Sequence, residues 1–196
     1  MNSNDRRRVV DHTIFSDALP ALQIAVDPAF EYVGTLSLVL KEIALAERVI
    51  FADRQQAKTN HLFIVQFEGV LDNIDFNYKY QTTNPIKLGD HDYQHSVYMY
   101  SNDESVREAP GAESDRTTQF LQERGYVHDD GLAMSRLARI VDDARRHEII
   151  IFYQETLSSL GLSLESYSRL TPEYQQAIAD SLKARSLQNF QVIDLS

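Results

Sequence analysis

Apolar runs separated by polar connections occur in two stretches of the chain, in the order that β-hairpins require. Residues 48–70 and 136–155 each contain two runs of apolar, β-branched or aromatic side chains around a polar connection. This is the composition of a half-buried antiparallel sheet. In the first stretch Val49 and Phe51 belong to the first apolar run, and the second apolar run ends at Gly69. We therefore predict that both stretches are strand–turn–strand units.

The second stretch also has a helical interpretation. A single helix over residues 132–157 would align Met134, Leu137 and Val141 on one side, but residues 149–153 would then be apolar on every side. A hairpin places the turn at residues 142–146 and the β-branched run in a strand. β-Branched side chains pack well on the pleated surface of a sheet. Periodicity alone does not separate the two. We favour the hairpin; the helix would give a smaller sheet followed by a helical half.

Two further strands are predicted between the hairpins. Phe76, Tyr78 and Tyr80 lie on one face of a third strand, and residues 91–100 alternate as a fourth. Strands that follow one another in sequence are usually neighbours in a sheet, which predicts a meander. Before the first hairpin, residues 30–40 favour a strand, while residues 41–47 fit a helix or a strand equally well.

Two helices complete the predicted fold. Residues 115–124 form a short helix that ends at Gly125, and a longer one covers residues 172–186. The second begins at Thr171, Pro172 and Glu173, which are favourable residue types for a helix N-terminus. The sequence therefore predicts an α+β fold with a twisted, mostly antiparallel sheet of six to eight strands. That sheet either stays open or curls into a partial barrel.

Composition limits the class of protein. A length of 196 residues fits one domain, which we assign to residues 14–196 after a flexible N-terminal tail over residues 1–13. The chain has no cysteine, which excludes disulfides and thiolate chemistry. Its net charge of −10 disfavours nucleic acid as a partner. No signal peptide or membrane-spanning run is evident, so we expect a soluble cytoplasmic protein.

His91 and His95 are the candidate metal ligands. In a strand they share a face with Tyr93, at the rim of an apolar interior that continues through Val97 and Met99. Two imidazoles on one face could hold Zn²⁺ or Fe²⁺ if a neighbouring strand supplied a third ligand. No such ligand is identifiable, and the alternative is a pair of partly exposed histidines at a strand start. The sequence identifies no cofactor.

Two further side chains qualify as site residues because they belong to strands with a buried face. Glu68 shares a face with apolar residues of its strand, so its carboxylate must pair with a cation or take up a proton. Arg48 or Arg54 could be the counter-ion. Tyr153 lies on the same strand face as His147 and Glu155, where it could contact a polar ligand. The alternative for both strand ends is simple exposure to solvent.

These features favour a small-ligand-binding protein or a modest enzyme, with an aromatic and histidine-lined cavity in a curved sheet. No nucleotide-binding or hydrolase motif occurs, so no reaction is predicted. The alternative is a homodimeric interaction module without catalytic activity, using an exposed strand edge, the run 149–153 or the tail 190–195. The predicted ligand-binding residues are Glu68, Tyr78, Tyr80, His91, Tyr93, His95 and Tyr153.

Overall fold

Antiparallel strands in two sheets form the framework of the protein. The computed structural model describes residues 6–53, 58–83, 85–101, 113–129 and 131–194. The strands are β1 Arg7–Val10, β2 Thr13–Ser16, β3 Leu22–Val26, β4 Glu31–Leu40, β5 Ala44–Ala52, β6 His61–Val70, β7 Pro85–Leu88, β8 His91–Ser101, β9 Gly131–Ile140, β10 His147–Thr156 and β11 Phe190–Asp194. The helices are α1 Glu113–Gln122, α2 Leu164–Ser168 and α3 Pro172–Gln188, with a 3-10 turn at Leu157–Leu160.

The larger sheet has seven strands in the order β4-β5-β6-β10-β9-β8-β7. Both predicted hairpins are present, as β5–β6 and β9–β10. The β9–β10 turn is closed by Asp142, whose carboxylate accepts hydrogen bonds from the backbone N–H groups of Arg146 and His147. The hairpin interpretation of residues 132–157 is therefore confirmed. The apolar run Ile149–Phe152 is buried because this strand has a covered surface on both sides.

The prediction of a third strand at residues 76–80 was wrong. These residues form no regular element, and the neighbour of β6 is β10 rather than the next segment of the chain. The reason is that the long, β-branched β10 pairs with β6 over nine residue pairs, from His147 with Gly69 to Glu155 with His61. The irregular segment 71–83 is left to cross the end of the sheet. The predicted fourth strand is present as β8.

The smaller sheet was not predicted. It has four strands in the order β1-β2-β3-β11. Arg7–Val10, which fall within the predicted tail, pair with Thr13–Ser16, while residues 1–5 lie outside the described part of the chain. Phe190–Asp194 pair with Leu22–Val26 across a long sequence separation. The single domain over residues 14–196 stays a prediction.

The main core lies between the two sheets. Ile24 and Val192 of the small sheet join Phe51, Phe63 and Ile151 of the large sheet in one buried cluster. We call this side of the large sheet the core face. Its opposite side, which carries Ile50, Ile64 and Ile150, is the cavity face, and α1 partly covers it through Phe120 and Leu121.

The remaining predictions concern the helices and the curvature of the sheet. Both predicted helices are confirmed, and α3 begins with Pro172 as its first residue. The segment that fitted helix or strand becomes a turn, with Lys41 and Glu42 at positive φ, and then the start of β5. The sheet does not close into a barrel in the described residues. Within these residues, no helix combines the length and apolar character needed to cross a membrane.

The core predicts a clear difference between buried and exposed aromatic side chains. Phe63 is completely buried and contacts the rings of Phe30, Phe51 and Phe190. We expect Phe63→Ala to lower the free energy of unfolding by about 3–5 kcal/mol, because it leaves a cavity in close-packed surroundings. Tyr174→Ala, at a site that is 67% exposed, should change it by less than about 0.5 kcal/mol. Urea denaturation followed by circular dichroism measures both; equal losses would contradict the assignment of the core.

Candidate functional site

A cavity of about 610 Å³ opens over the cavity face of the large sheet. Strands β5, β6, β10, β9 and β8 all contribute side chains to its wall, and α1 contributes Thr117 and Leu121. Arg48 of β5 and Tyr100 of β8 lie close enough for an electrostatic interaction, although three strands separate β5 from β8. The sheet is therefore concave on this face, and residues distant in its strand order line one space.

Two carboxylates lie side by side at one end of this cavity. Glu68 of β6 and Glu148 of β10 are directly opposite each other in the strand pairing. The Tyr78 hydroxyl donates a hydrogen bond to Glu68 at 2.8 Å, and the Tyr80 hydroxyl donates one to Glu148 at 2.8 Å. Only 5% of Glu148 is exposed. Each carboxylate thus has a phenol donor, and the buried Glu148 lies beside the half-buried Glu68.

This arrangement changes the protonation of the pair. Burial, followed by the neighbouring charge of Glu68, raises the pKa of Glu148 to about 7. Two like charges at this separation oppose joint ionisation, so one proton is retained near neutral pH. Burial and the adjacent carboxylates raise the pKa of both Tyr78 and Tyr80, which remain protonated donors. A carboxyl group that titrates near pH 7 can both donate and accept a proton.

Arg48 is linked to the carboxylate pair through an amide. Its Nε donates to the side-chain oxygen of Gln66, and the Gln66 amide donates to Glu68. Arg48 also donates to the hydroxyl of Thr117 on α1. Burial lowers the pKa of Arg48 to about 10, and the charge of Glu68 opposes that fall, so the guanidinium is cationic at neutral pH. Arg54, the other proposed counter-ion, lies outside the described residues.

Two arginines of the β9–β10 turn hold the segment that carries the tyrosines. Arg145 donates to the backbone carbonyls of Tyr78 at 2.7 Å and Tyr80 at 2.6 Å. Arg146 donates to the carbonyls of Leu71 at 2.8 Å and Ile74 at 3.0 Å. Charged donors of this kind satisfy carbonyls that a strand partner would otherwise bind. The guanidinium groups therefore replace a sheet ladder and direct both phenols onto the carboxylates.

The structure brings together three of the predicted ligand-binding residues and separates the other four. Glu68, Tyr78 and Tyr80 belong to one hydrogen-bonded cluster, although the two tyrosines lie on the irregular segment and not on a strand. His95 and Tyr153 belong to the opposite, core side of the large sheet. Sequence reasoning joined the groups because it assigned all of them to one interior.

His91 and His95 have separate partners. His91 Nε2 lies 3.6 Å from the Asp194 carboxylate of β11 and borders a second cleft beside the β9–β10 turn. His95 Nε2 lies 3.0 Å from the Ser135 hydroxyl, and burial, with the nearby Lys183, lowers its pKa. Tyr93 is fully buried between them. In the described part of the chain, no group of three or more His, Cys, Asp or Glu side chains is arranged to hold a metal.

Tyr153 belongs to a polar cluster of its own. Its hydroxyl donates to Glu155 at 2.8 Å, and Arg185 of α3 donates to both oxygens of the same carboxylate, at 2.6 and 2.8 Å. The ring stacks on His61, whose Nδ1 lies 2.6 Å from Asp53. The hydrogen bond with Asp53 raises the pKa of His61. The cluster joins α3 and β10 to the β5–β6 hairpin, and every charged member has an internal partner.

Sequence reasoning missed Glu148 and Gln66, which complete the site. Glu148 follows His147 directly, so on a strand it points to the opposite face from His147, Tyr153 and Glu155, the face on which the sequence places a candidate site. The face that carries Glu148 is also buried. The sequence does contain a signal for Glu148. The strand at residues 147–156 is apolar on both faces, which indicates that both faces are covered. A polar residue on either face of such a strand is therefore a candidate site residue.

Comparison with known proteins yields no relative. No family model matches the chain, and no curated protein or solved structure matches it significantly. The function is therefore argued from the geometry and chemistry of the cavity.

Protonation of Glu148 makes stability depend on pH. A carboxyl group whose pKa rises from 4.5 to about 7 on folding destabilises the folded state as the pH rises through that interval. Glu148→Gln cannot ionise and retains the shape of the side chain. We expect its free energy of unfolding, relative to the natural protein, to increase by on the order of 3 kcal/mol between pH 5 and pH 8. Urea denaturation across this range tests the expectation.

A matched control is Glu165→Gln, since Glu165 is an exposed glutamate paired with Arg169. Its stability difference from the natural protein should stay within about 1 kcal/mol at every pH. A Glu148→Gln difference that is equally flat would show that the two carboxylates do not share a proton.

Arg146 should be required for order in the segment 71–83. Arg146→Lys keeps the charge but cannot reproduce the planar set of donors that binds several carbonyls. We expect backbone amides of this segment, including that of Tyr78, to exchange with deuterium about tenfold faster or more. Hydrogen exchange read by mass spectrometry measures this. Arg169→Lys, at an exposed arginine directly after α2, is the control and should leave the segment unchanged. Unaltered exchange in Arg146→Lys would contradict the positioning role of Arg146.

Proposed function

We propose that this protein binds a small molecule in the cavity over the large sheet. The observation that carries the proposal is a network of buried charged and polar side chains that faces an open space of about 610 Å³. Glu148 is 5% exposed and Gln66 is 1% exposed. Placing such groups beside a cavity costs stability, because their remaining hydrogen-bonding capacity is removed from bulk water. A bound ligand would use that capacity.

The composition of the cavity wall supports the same proposal. One end carries the polar network, while Leu62, Ile64, Ile150 and Phe152 supply an apolar surface along β6 and β10. Sites for small molecules commonly combine an apolar lining with a few fixed polar groups, at volumes of about 300–1,000 Å³. The cavity has both properties, and its size suits a compact organic molecule.

The carboxylate pair also supports an enzymatic form of the proposal. Glu148, with its pKa near 7, can exchange a proton with a bound molecule, and the neighbouring Glu68 favours the protonated form of Glu148. Tyr78 and Tyr80 fix both carboxylates by their hydrogen bonds. These groups could act as the general acid and general base of a reaction at neutral pH.

The alternative, a homodimeric interaction module, receives less support from the surface. The apolar run 149–153 lies at the centre of the large sheet. Residues 190–194 of the tail form β11 against β3, and Leu195 lies outside the described residues. Two of the three features behind the alternative are thus used within the chain. The exposed edge of β4, which carries Tyr32 and Val39, is the feature that still favours it.

The test of small-molecule binding uses a variant that fills the cavity. Met134 is half-buried in the cavity wall, so Met134→Trp should occupy the space with little effect on the main core. The untagged natural protein should retain a discrete additional mass in native mass spectrometry, or be stabilised by members of a metabolite library in thermal denaturation. Both effects should be lost in Met134→Trp.

The control is Tyr174→Trp, which adds a comparable ring on the exposed surface of α3. It should behave as the natural protein does. Retained mass or thermal shifts that are equal in both variants would place binding outside the cavity and overturn the proposal.

A further inference from the structure

Arg136 differs from the other charged residues of the cavity because its side chain has no hydrogen-bond or ion-pair partner among the described residues. It lies on β9, is half-buried and lines the cavity. Arg48 is committed to Gln66 and Thr117. By contrast, Arg136 makes no hydrogen bond or ion pair with any part of the chain that the structure describes. It interacts with Glu148 and Tyr80 only through longer-range electrostatic attraction. Its donors are therefore directed at the cavity.

Arg136 presents one guanidinium to the cavity, and that guanidinium has no hydrogen-bond or ion-pair partner among the described residues. A guanidinium binds a carboxylate through two parallel N–H···O hydrogen bonds, which is its strongest common contact. One guanidinium of this kind matches one carboxylate, so a ligand with a single negative charge fits Arg136 better than a dianion or a cation.

The surroundings of Arg136 define the rest of the ligand. Across the β9–β10 pairing its direct neighbour is Phe152, whose own neighbour across the next pairing is Ile64. The row beside them runs from Met134 through Gln154, whose amide donates to the Met134 sulfur, to Leu62. A molecule whose head contacts Arg136 can therefore extend over Phe152 and Ile64, with Leu62 and Met134 beside them. Only a ligand with an apolar body would use that surface.

We infer that the cavity binds a small monocarboxylate with an apolar body, its carboxylate on Arg136 and its body over Phe152, Ile64 and Leu62. This inference rests on the proposed binding function and names the ligand class for the same site. Arg136 anchors the head group, and the carboxylate pair lies beside it as an acid and a base. The volume of about 610 Å³ accommodates an eight-carbon chain.

The experiment compares three probes that share one tail and differ in the charge of the head: octanoate, octanamide and octylamine. Isothermal titration calorimetry at pH 7 on the natural full-length protein gives each dissociation constant. We expect octanoate to bind about tenfold more tightly than octanamide or better, and octylamine to bind most weakly, because a charge-assisted contact to Arg136 is made by octanoate alone.

Two variants test whether Arg136 causes the preference for octanoate. Arg136→Gln should abolish the advantage of octanoate while leaving the affinity for octanamide within about twofold, since the apolar surface is unchanged. Arg169→Gln removes an exposed arginine outside the cavity and should leave all three affinities unchanged. The octanamide measurement also serves as the test of folding, because a misfolded variant would lose both probes.

The possible outcomes distinguish a wrong ligand class from a wrong proposed function. Octanoate and octanamide binding equally, with both lost in Met134→Trp, would overturn the monocarboxylate class and leave small-molecule binding intact. A preference for octanoate that persists in Arg136→Gln would overturn the role of that residue. No binding of any probe by the natural protein would overturn the inference, and the retained-mass experiment would then decide the proposed function by itself.

Discussion

The pairing of β6 with β10 is the interaction on which the rest of the structure depends. It joins two locally formed hairpins into one seven-stranded sheet and gives both of its central strands a neighbour on each side. The same pairing places Glu68 opposite Glu148, so the contact that completes the sheet also creates the carboxylate pair. A shift of one residue in this register would exchange the two faces of β10 and move Glu148 to the core face.

The charged groups of this protein are distributed so that each face of the large sheet has its own polar cluster. On the core side, Arg185 neutralises the buried Glu155, and Asp53 binds His61. That cluster is internally complete and joins elements of the fold. On the cavity side, Glu148 lies opposite Glu68, and Arg136 stays without a partner among the described residues. A buried polar network is costly when some of its groups lack partners, which is why we propose a ligand site on this face and not on the core side.

The irregular segment 71–83 shows how a site can be built without regular secondary structure. Its carbonyl groups are satisfied by guanidinium donors from Arg145 and Arg146, so the segment crosses the sheet end with its polar backbone paired. The aromatic pattern that resembles a strand serves another purpose there. Tyr78 and Tyr80 turn their hydroxyls to the carboxylates, and both are connected to the turn that starts β10.

The sequence by itself determined the elements whose cause is local. The two hairpins follow from pairs of apolar runs around a polar connection, and α3 starts where Pro172 can occupy a first helical turn. The sequence also pointed to Glu68, as a carboxylate on an apolar strand face, and to Tyr78 and Tyr80, as aromatic side chains for a cavity. Only the tertiary structure decided that β10 lies beside β6 and that Glu148 faces Glu68. Strand partners distant in sequence are selected by the packing of whole faces, and a strand's own pattern states which face is apolar but not which strand will cover it.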